Sequence, residues 1–112
     1  ELRNPDPSCN PYLAIAVMLK AGLDGIKNKI MPPKQVNLNI YEMTNKEKEE
    51  LGIDSLPGSL EEALKELQKD QVIMDALGSH AAKRFIEAKE LEWNDYRTKI
   101  TPWEIKHYLT KF

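Results

Sequence analysis

Apolar residues recur at the spacing of an α-helix in several separate segments of this chain, and helix caps, prolines and glycines lie between the segments. The first segment begins at Asn10-Pro11, an N-cap residue followed by a proline suited to the first turn, and the two prolines after Met31 end it. A short segment that Asp70 can cap ends at Gly78. The pattern predicts a mainly α fold of about five helices. The other helices are predicted to start at Ser59, Ser79 and Thr101.

The stretches between the helices predict extended backbone, with little or no sheet. Two prolines lack amide donors and hold residues 1–9 extended. Residues 34–43 alternate apolar and polar side chains, which favours a short strand or an extended arm. The charged stretch TNKEKEEL then fits one or two helical turns capped by Thr44 or Asn45, and a loop follows it.

The size of the chain sets how much core it can hold. A chain of 112 residues is one domain, which buries roughly 60–70% of the surface that the unfolded chain exposes. We expect the apolar run YLAIAVML at 12–19 to be a helix buried on all sides, and the second half of that helix to be amphipathic. Gly22 and Gly25 interrupt the helix, which indicates either the close approach of another backbone or fraying.

The charge balance disfavours some classes of partner. The chain has 16 basic and 18 acidic residues, a net charge of −2 and no clustered basic stripe, so a DNA-binding helical domain fits poorly. Cys9 is the only cysteine, which rules out an internal disulfide and Cys-x-x-Cys metal clusters. No apolar run has the length of a membrane span and no signal-peptide pattern occurs, so we predict a cytoplasmic location.

Few residues are candidates for chemistry. His80 and His107 lie in different helices without a metal-ligand spacing, and we expect both to be surface or cap-proximal residues. No phosphate-binding glycine loop is present. Trp93 and Tyr96 have a helical spacing that is typical of core positions.

Glu1 and Arg3 differ from these candidates because residues i and i+2 of a strand share a face. A carboxylate is a hard ligand suited to Mg²⁺ or Mn²⁺, and a guanidinium offers a planar fork for a carboxylate or a phosphoryl group. The alternative is an ordinary surface ion pair, and from spacing alone that is the simpler explanation.

A series of longer motifs covers essentially the whole chain. It begins with ELRNPDPSCNPYL, continues with AGLDGIKNKI, NIYEM and LPGSLEEALKEL, and ends with ALGSHAAKRFIEAKELEWNDYRTKITPWE and an aromatic tail. In this order the motifs closely resemble the class I, bacterial-type glutamine synthetases. The resemblance is strongest to the branch common in Gram-positive bacteria and related thermophiles.

The resemblance implies ATP-dependent ligation of ammonia to L-glutamate through γ-glutamyl phosphate, with Mg²⁺ or Mn²⁺ as the metal. By position in the motif, Glu1 corresponds to a divalent-metal ligand, and Arg3 to an arginine that binds glutamate and the phosphoryl intermediate. The other metal carboxylates, the nucleotide loops and the general-base region would lie upstream. We therefore assign no catalytic residue here, and we expect the isolated chain to have no ligase activity and to bind neither ATP nor glutamate.

The resemblance also implies that these residues are the C-terminal part of a larger α+β catalytic domain. We expect residues 1–9 to be the cut end of an active-site strand, 10–100 the helical core and 101–112 a tail helix. The tail would insert between the two stacked hexameric rings of a dodecamer. The contact residues would be Trp103, Ile105, Tyr108, Leu109 and Phe112.

Two regulatory features follow from the same resemblance. Tyr41 lies where some relatives carry an adenylylated tyrosine in a loop reading NLYDLP. Here the loop reads NIYEMT, which favours an unmodified tyrosine on an extended arm. Some Gram-positive relatives also use the tail region to contact nitrogen-responsive regulators.

The alternative to a ligase is a stand-alone helical interaction module. In that case the apolar face of the last helix binds a protein partner, and the pairing of Glu1 with Arg3 is incidental.

Overall fold

The computed structural model describes residues 2–109 and 111, and within them every regular element is helical. This confirms the predicted mainly α fold. Besides the five predicted helices, residues 45–50 form a short helix capped by Thr44, where one or two helical turns were predicted. The helices are α1 (Pro11–Lys27), α2 (Asn45–Glu50), α3 (Leu60–Lys69), α4 (Gln71–Leu77), α5 (Ser79–Tyr96) and α6 (Pro102–Tyr108), with a 3-10 turn at Ile40–Glu42.

Short polar side chains fix the helix starts as predicted. Asn10 Oδ1 accepts hydrogen bonds from the backbone N–H groups of Tyr12 at 3.0 Å and Leu13 at 3.3 Å. Thr44 and Thr101 each form a reciprocal capping box with the glutamate three residues further on. These bonds satisfy backbone donors that have no partner inside the first turn of a helix.

The sequence Ser59-x-x-Glu62 is a capping-box pattern, but the box is only half formed. Ser59 Oγ accepts from the backbone N–H of Glu62 at 3.2 Å. The Glu62 carboxylate, however, accepts from the backbone N–H of Gly58 at 2.8 Å, one residue before the cap. Helix α3 therefore starts where predicted, but its glutamate stabilises the preceding turn.

Helix α1 ends before the prolines that the sequence predicts as its stop. The backbone N–H of Ile30 donates to the Gly25 carbonyl at 2.9 Å, and that of Lys29 donates to the Ile26 carbonyl at 3.2 Å. Lys29 has a φ of 52°, in the left-handed region. This hydrogen-bond pattern is a Schellman C-cap, which closes the helix after Lys27.

The packed part of the molecule is a thin layer of four helices. Helix α4 contacts α1, α3 and α5, and α3 also contacts α5. The buried apolar residues are Leu64 on α3, which is 5% exposed, and Ala82 on α5, which is fully buried. Helices α2 and α6 have no comparable contact with another helix of the described part.

The surface is much larger than that of a compact domain of this mass. The accessible surface is 10168 Å², whereas a folded monomer of 12.9 kDa exposes about 6,300 Å². The radius of gyration is 18.3 Å, against about 13 Å for a compact chain of this length. The chain buries roughly 45% of its unfolded surface, so the expectation of 60–70% is wrong.

Helix α1 is less buried than the sequence predicts. None of its residues is buried, so the expected burial on all sides is wrong for this chain. One side packs on α4, while Tyr12, Leu19 and Ile26 on the other side are 62% to 85% exposed. A Cβ at Gly22 or Gly25 would meet no atom within 4 Å and the helix continues through both glycines, so neither close approach nor fraying is seen. Among the residues described, no helix has both the length and the apolar character needed to cross a bilayer.

Replacing Ala82 with leucine tests whether the four-helix layer behaves as a core. The added atoms would force packed neighbours apart, so we expect Ala82→Leu to lower the free energy of unfolding by about 1–3 kcal/mol. Ala88 is exposed on the same helix, and Ala88→Leu is the matched control, with an expected change within about 0.5 kcal/mol. Urea unfolding measures both values, and equal midpoints for the two variants would contradict this core.

Candidate functional site

The residues before α1 form an exposed segment that ends in a tight turn. The Asp6 carboxylate accepts hydrogen bonds from the backbone N–H of Ser8 at 2.7 Å and from the Ser8 hydroxyl at 2.5 Å. The backbone N–H of Cys9 donates to the Asp6 carbonyl at 3.0 Å. The turn leads directly into the Asn10 cap of α1, and Arg3 lies in the exposed stretch ahead of the turn.

The turn keeps its carboxylate in the charged form. Hydrogen bonds from the hydroxyl and the backbone of Ser8 lower the pKa of Asp6 below its usual value, and the positive charge of Lys89 adds to this effect. Lys89 belongs to α5, where it also forms an ion pair with Glu92 at 2.6 Å. Asp6 therefore lies within electrostatic range of Lys89.

The predicted pair at the start of the chain is only partly described. Glu1 lies outside the described residues, so its assignment as a metal ligand stays a prediction. Arg3 is exposed on irregular backbone, and the predicted strand is not formed in residues 2–9. Its assignment as a substrate-binding residue also stays a prediction.

The described residues do not form a metal site by themselves. Nowhere among them do three His, Cys, Asp or Glu side chains gather in a way that could hold a metal ion. Mg²⁺ requires about six oxygen ligands in octahedral geometry, which a single terminal carboxylate cannot supply. A metal at Glu1 would need ligands from residues beyond those described here.

The last helix exposes the apolar side chains that the sequence predicts as a contact surface. Trp103, Ile105, Tyr108 and Leu109 are between 47% and 74% exposed. Phe112, the fifth predicted contact residue, lies outside the described residues. No other helix in the described part packs extensively on α6, so this surface is available for contact with another chain.

The aromatic residues of α6 also contact each other. The imidazole of His107 stacks on Trp103 with ring centroids 4.3 Å apart, and His107 Nδ1 lies 2.8 Å from the Trp103 carbonyl oxygen. The Tyr108 ring meets the same indole edge-on at 5.8 Å. The His107 ring therefore packs against its own helix, α6. His80 is exposed in the first turn of α5.

Tyr41, the candidate modification site, is 99% exposed. It lies in the 3-10 turn Ile40–Glu42 and not on an extended arm, which corrects the expectation for this residue. The turn forms because Asn39 caps it: Asn39 Oδ1 accepts from the Tyr41 N–H at 3.3 Å, and Asn39 Nδ2 donates to Glu42 at 2.7 Å. Adenylylation of Tyr41 stays untested.

A cleft between α3 and α5 is a feature that the sequence does not reveal. Its volume is about 340 Å³, and a second hollow of about 430 Å³ lies on the other side of Trp93. Trp93 is thus half-buried as the wall between two hollows, and Tyr96 is exposed, so the expectation that both are core residues is wrong. The cleft is lined by Glu61, Leu64, Lys65, Gln68, Glu90, Trp93, Asn94 and Arg97.

The rim of the α3–α5 cleft carries charges of both signs. Lys65 Nζ lies 2.8 Å from Glu61, four residues earlier on α3. This hydrogen bond is the main cause that lowers the pKa of Glu61 and raises the pKa of Lys65. Arg97 Nε donates to Asn94 at 2.9 Å. The only sequence signal for this cleft is that lining residues on α3 and on α5 are four positions apart, which places them on one face of each helix. That spacing does not show that the two helix faces meet.

Comparison with known proteins identifies the kind of domain to which the chain belongs. A family model described as "Glutamine synthetase, catalytic domain" matches residues 1–108. The chain is therefore part of a catalytic domain.

Individual relatives agree with the family model. The chain is 59% identical over 109 residues to the glutamine synthetase of Thermotoga maritima, covering 97% of this chain and 25% of that relative. It is 53% identical over 112 residues to the glutamine synthetase of Thermus thermophilus, covering 100% of this chain and 25% of the relative. It spans about a quarter of the length of the curated relatives that it matches. The chain belongs to the glutamine synthetase family.

The fold has a solved counterpart. A structure described as "Apo GmaS without ligand" matches with a TM-score of 0.80 and 37% sequence identity, covering 97% of this chain and 25% of that one. The helical arrangement of the described residues therefore occurs inside a chain about four times as long.

The capping box of α6 predicts a pH dependence for this helix. Hydrogen bonds from the backbone and hydroxyl of Thr101 lower the pKa of Glu104 below its usual 4.5. Because the pKa is depressed in the folded state, the stabilisation is complete above pH 4.5 and is lost as the pH falls through the lowered pKa. We expect the helical chemical shifts of α6 to weaken in that acidic range.

The matched variant for this prediction is Thr101→Ala. It removes the hydroxyl hydrogen bond but keeps the backbone N–H, so the pKa of Glu104 should rise part of the way towards its usual value, while Glu47, in the separate Thr44 box, keeps its lowered pKa. NMR titration of both carboxylates measures the effect. A Glu104 pKa that does not change in Thr101→Ala would contradict this box.

Proposed function

We propose that these residues act as the C-terminal part of a glutamine synthetase that ligates ammonia to L-glutamate through γ-glutamyl phosphate at the expense of ATP. The observation that supports the proposal most strongly is 59% identity over 109 residues to a named glutamine synthetase. The large exposed surface of the described residues also supports it, because such a surface fits a part that is packed against more protein.

In the proposed reaction, the segment before α1 contributes to substrate binding. The guanidinium of Arg3 would bind the anionic substrate and the transferring phosphoryl group through paired hydrogen bonds, which favours in-line geometry. Glu1 would be one of the metal ligands. A bound Mg²⁺ or Mn²⁺ supplies charge neutralisation for the phosphoryl group.

The remaining parts of the site would come from the longer chain. The exposed Arg3 and a single terminal carboxylate provide neither a nucleotide-binding loop nor a complete metal shell. The isolated 112 residues would therefore be inactive and would bind neither ATP nor glutamate. The expected cytoplasmic location and the contact with nitrogen-responsive regulators remain part of this proposal.

Helix α6 would supply contacts between stacked rings of the assembled enzyme. Its exposed apolar side chains have no partner helix among the described residues, which favours a role in contact. The same observation favours the second candidate function, a stand-alone interaction module. The two candidates differ in whether α6 contacts a copy of the same enzyme or an unrelated protein.

Replacing Arg3 with lysine in the full-length enzyme tests the substrate-binding role. Lysine keeps the positive charge but loses the planar fork, so a charge-assisted hydrogen bond worth about 1.5–3 kcal/mol is lost and kcat/KM for glutamate should fall about 10- to 150-fold. The matched control is Arg84→Lys, at an exposed arginine of α5 that pairs with Glu87 at 2.9 Å. Steady-state kinetics measure both variants, and unchanged turnover in Arg3→Lys would refute the assignment.

Deleting residues 103–112 from the full-length enzyme tests the contact role of α6. We expect the stacked rings to separate and the mass measured by light scattering to fall by about half, because the apolar contacts of the tail are lost. The point variant Leu109→Asp should have the same effect, whereas Lys111→Asp, at an exposed charged position of the same tail, should not. An intact dodecamer after the deletion would contradict the proposed contact between rings and leave the interaction module as the better explanation for α6.

A further inference from the structure

Helix α1 carries an exposed apolar stripe on the side that does not pack on α4. Its residues follow each other at intervals of three and four, which places them on one side of the helix along about 21 Å of its length. More than half of each side chain is exposed. The α1 stripe consists of Tyr12, Ile15, Leu19, Leu23 and Ile26.

The stripe lacks the charged residues that are typical of a solvent-exposed helix face. At 100° per residue it occupies an arc of about 80°, which holds no charged residue and is flanked on its two sides by Ala16 and Gly22. The charged residues of α1, Lys20, Asp24 and Lys27, all lie outside this arc. Helix α5 shows the contrast, because its exposed side carries ion pairs such as Arg84–Glu87.

The space above the stripe is open in the described chain. Gly22 lies at the edge of the arc, and a Cβ placed there would meet no atom within 4 Å. An alanine and a glycine among the large apolar residues let a partner's backbone or side chains approach the helix axis closely. The stripe thus has both the chemistry and the room for a closely packed apolar partner.

We propose that the α1 stripe is a face of the catalytic-domain core, and that it is covered by the part of the same polypeptide that lies outside these 112 residues. This inference rests on the proposed function, in which the chain is one part of a longer enzyme. The family match is to a single catalytic domain, and the chain makes up 25% of the length of its relatives. Because a domain packs its layers around a shared core, the apolar side of α1 faces the remainder of that domain.

The amount of exposed surface argues against a second copy of this chain as the main cover. The excess over a compact monomer is about 3,900 Å², the difference between 10168 Å² and about 6,300 Å². A standard protein–protein interface buries only about 800 Å² on each partner. One copy-to-copy contact would leave most of the excess exposed, whereas a polypeptide about three times the length of this chain has enough surface to cover it.

Cysteine accessibility tests this proposal in the full-length enzyme. In a Cys9→Ser background, which removes the exposed thiol of this region, Leu19→Cys reports on the stripe and Leu91→Cys is the matched control. Leu19 and Leu91 are both helical and similarly exposed here, at 62% and 72%, but Leu91 lies among charged neighbours on α5. Leucine to cysteine is a mild change, so the fold is kept in both variants.

We expect native maleimide labelling at position 19 to be at least about tenfold slower than at position 91, because a covered thiol reacts only when the structure opens locally. In urea, and in the isolated 112-residue chain, the two positions should react at similar rates. Peptide mass spectrometry assigns the labelled position. Equal labelling rates in the native enzyme would overturn the proposal.

Two further results would also overturn it, by assigning the stripe to a second copy. One is protection of position 19 that grows with the concentration of the isolated chain. The other is protection in the enzyme that disappears when the assembly is dissociated into single subunits. Glutamine formation is measured separately, so an enzyme without ligase activity would contradict the proposed function while the labelling result would still decide the inference.

Discussion

The contacts of helix α4 are the interaction on which the described fold depends. This helix has seven residues, Gln71–Leu77, yet it packs on α1, α3 and α5, and so it joins the first part of the chain to the rest. Asp70 fixes its start by accepting a hydrogen bond from the Ile73 N–H at 3.1 Å, and Gly78, with a φ of 74°, lets the chain turn into α5. Since an isolated helix of this length is marginal in water, its stability comes from these three neighbours. The position of α1 relative to α3 and α5 therefore depends on its contact with α4.

The helix starts could be predicted from the sequence because they depend on hydrogen bonds between residues two or three positions apart. Asn10, Thr44, Asp70 and Thr101 all cap the helices that their local sequence indicates. Burial could not be predicted in the same way, because it depends on what lies opposite each face. The apolar run of α1 correctly predicts a helix, but burial on all sides does not follow, because in the described residues only one side of the helix packs on α4. The end of α1 at Lys27 was also missed, since a lysine in the left-handed conformation leaves no signal in the pattern of apolar residues.

The candidate site likewise has features that local sequence predicts and features that depend on distant residues. The spacing of Glu1 and Arg3 suggested a shared face, but an ordinary ion pair explains that spacing equally well, and only the longer series of motifs pointed to a family. Membership of that family is now supported by whole-chain similarity to glutamine synthetases, whereas the roles of the two residues depend on groups beyond this chain. The α3–α5 cleft beside Trp93 escaped prediction because it is formed by two helix faces that are far apart in sequence. The sequence around Tyr41 contains two conflicting signals. Asn39 is a residue type that can cap a turn, whereas the alternation of apolar and polar residues around Tyr41 favours an extended chain.

The turn between Arg3 and α1 has a mechanical consequence. Two prolines and the Asp6–Ser8 hydrogen bonds restrict the six residues that separate Arg3 from the Asn10 helix cap, so we expect the segment to act more like a short lever than a loose tether. Its reach is at most about 23 Å, so a tilt of the helix axis by about five degrees would move the lever's tip by up to about 2 Å. Displacements of that size are large on the scale at which enzymes align reacting groups. Small changes in how α1 is seated would therefore be magnified at Arg3, far from the contact where they arise.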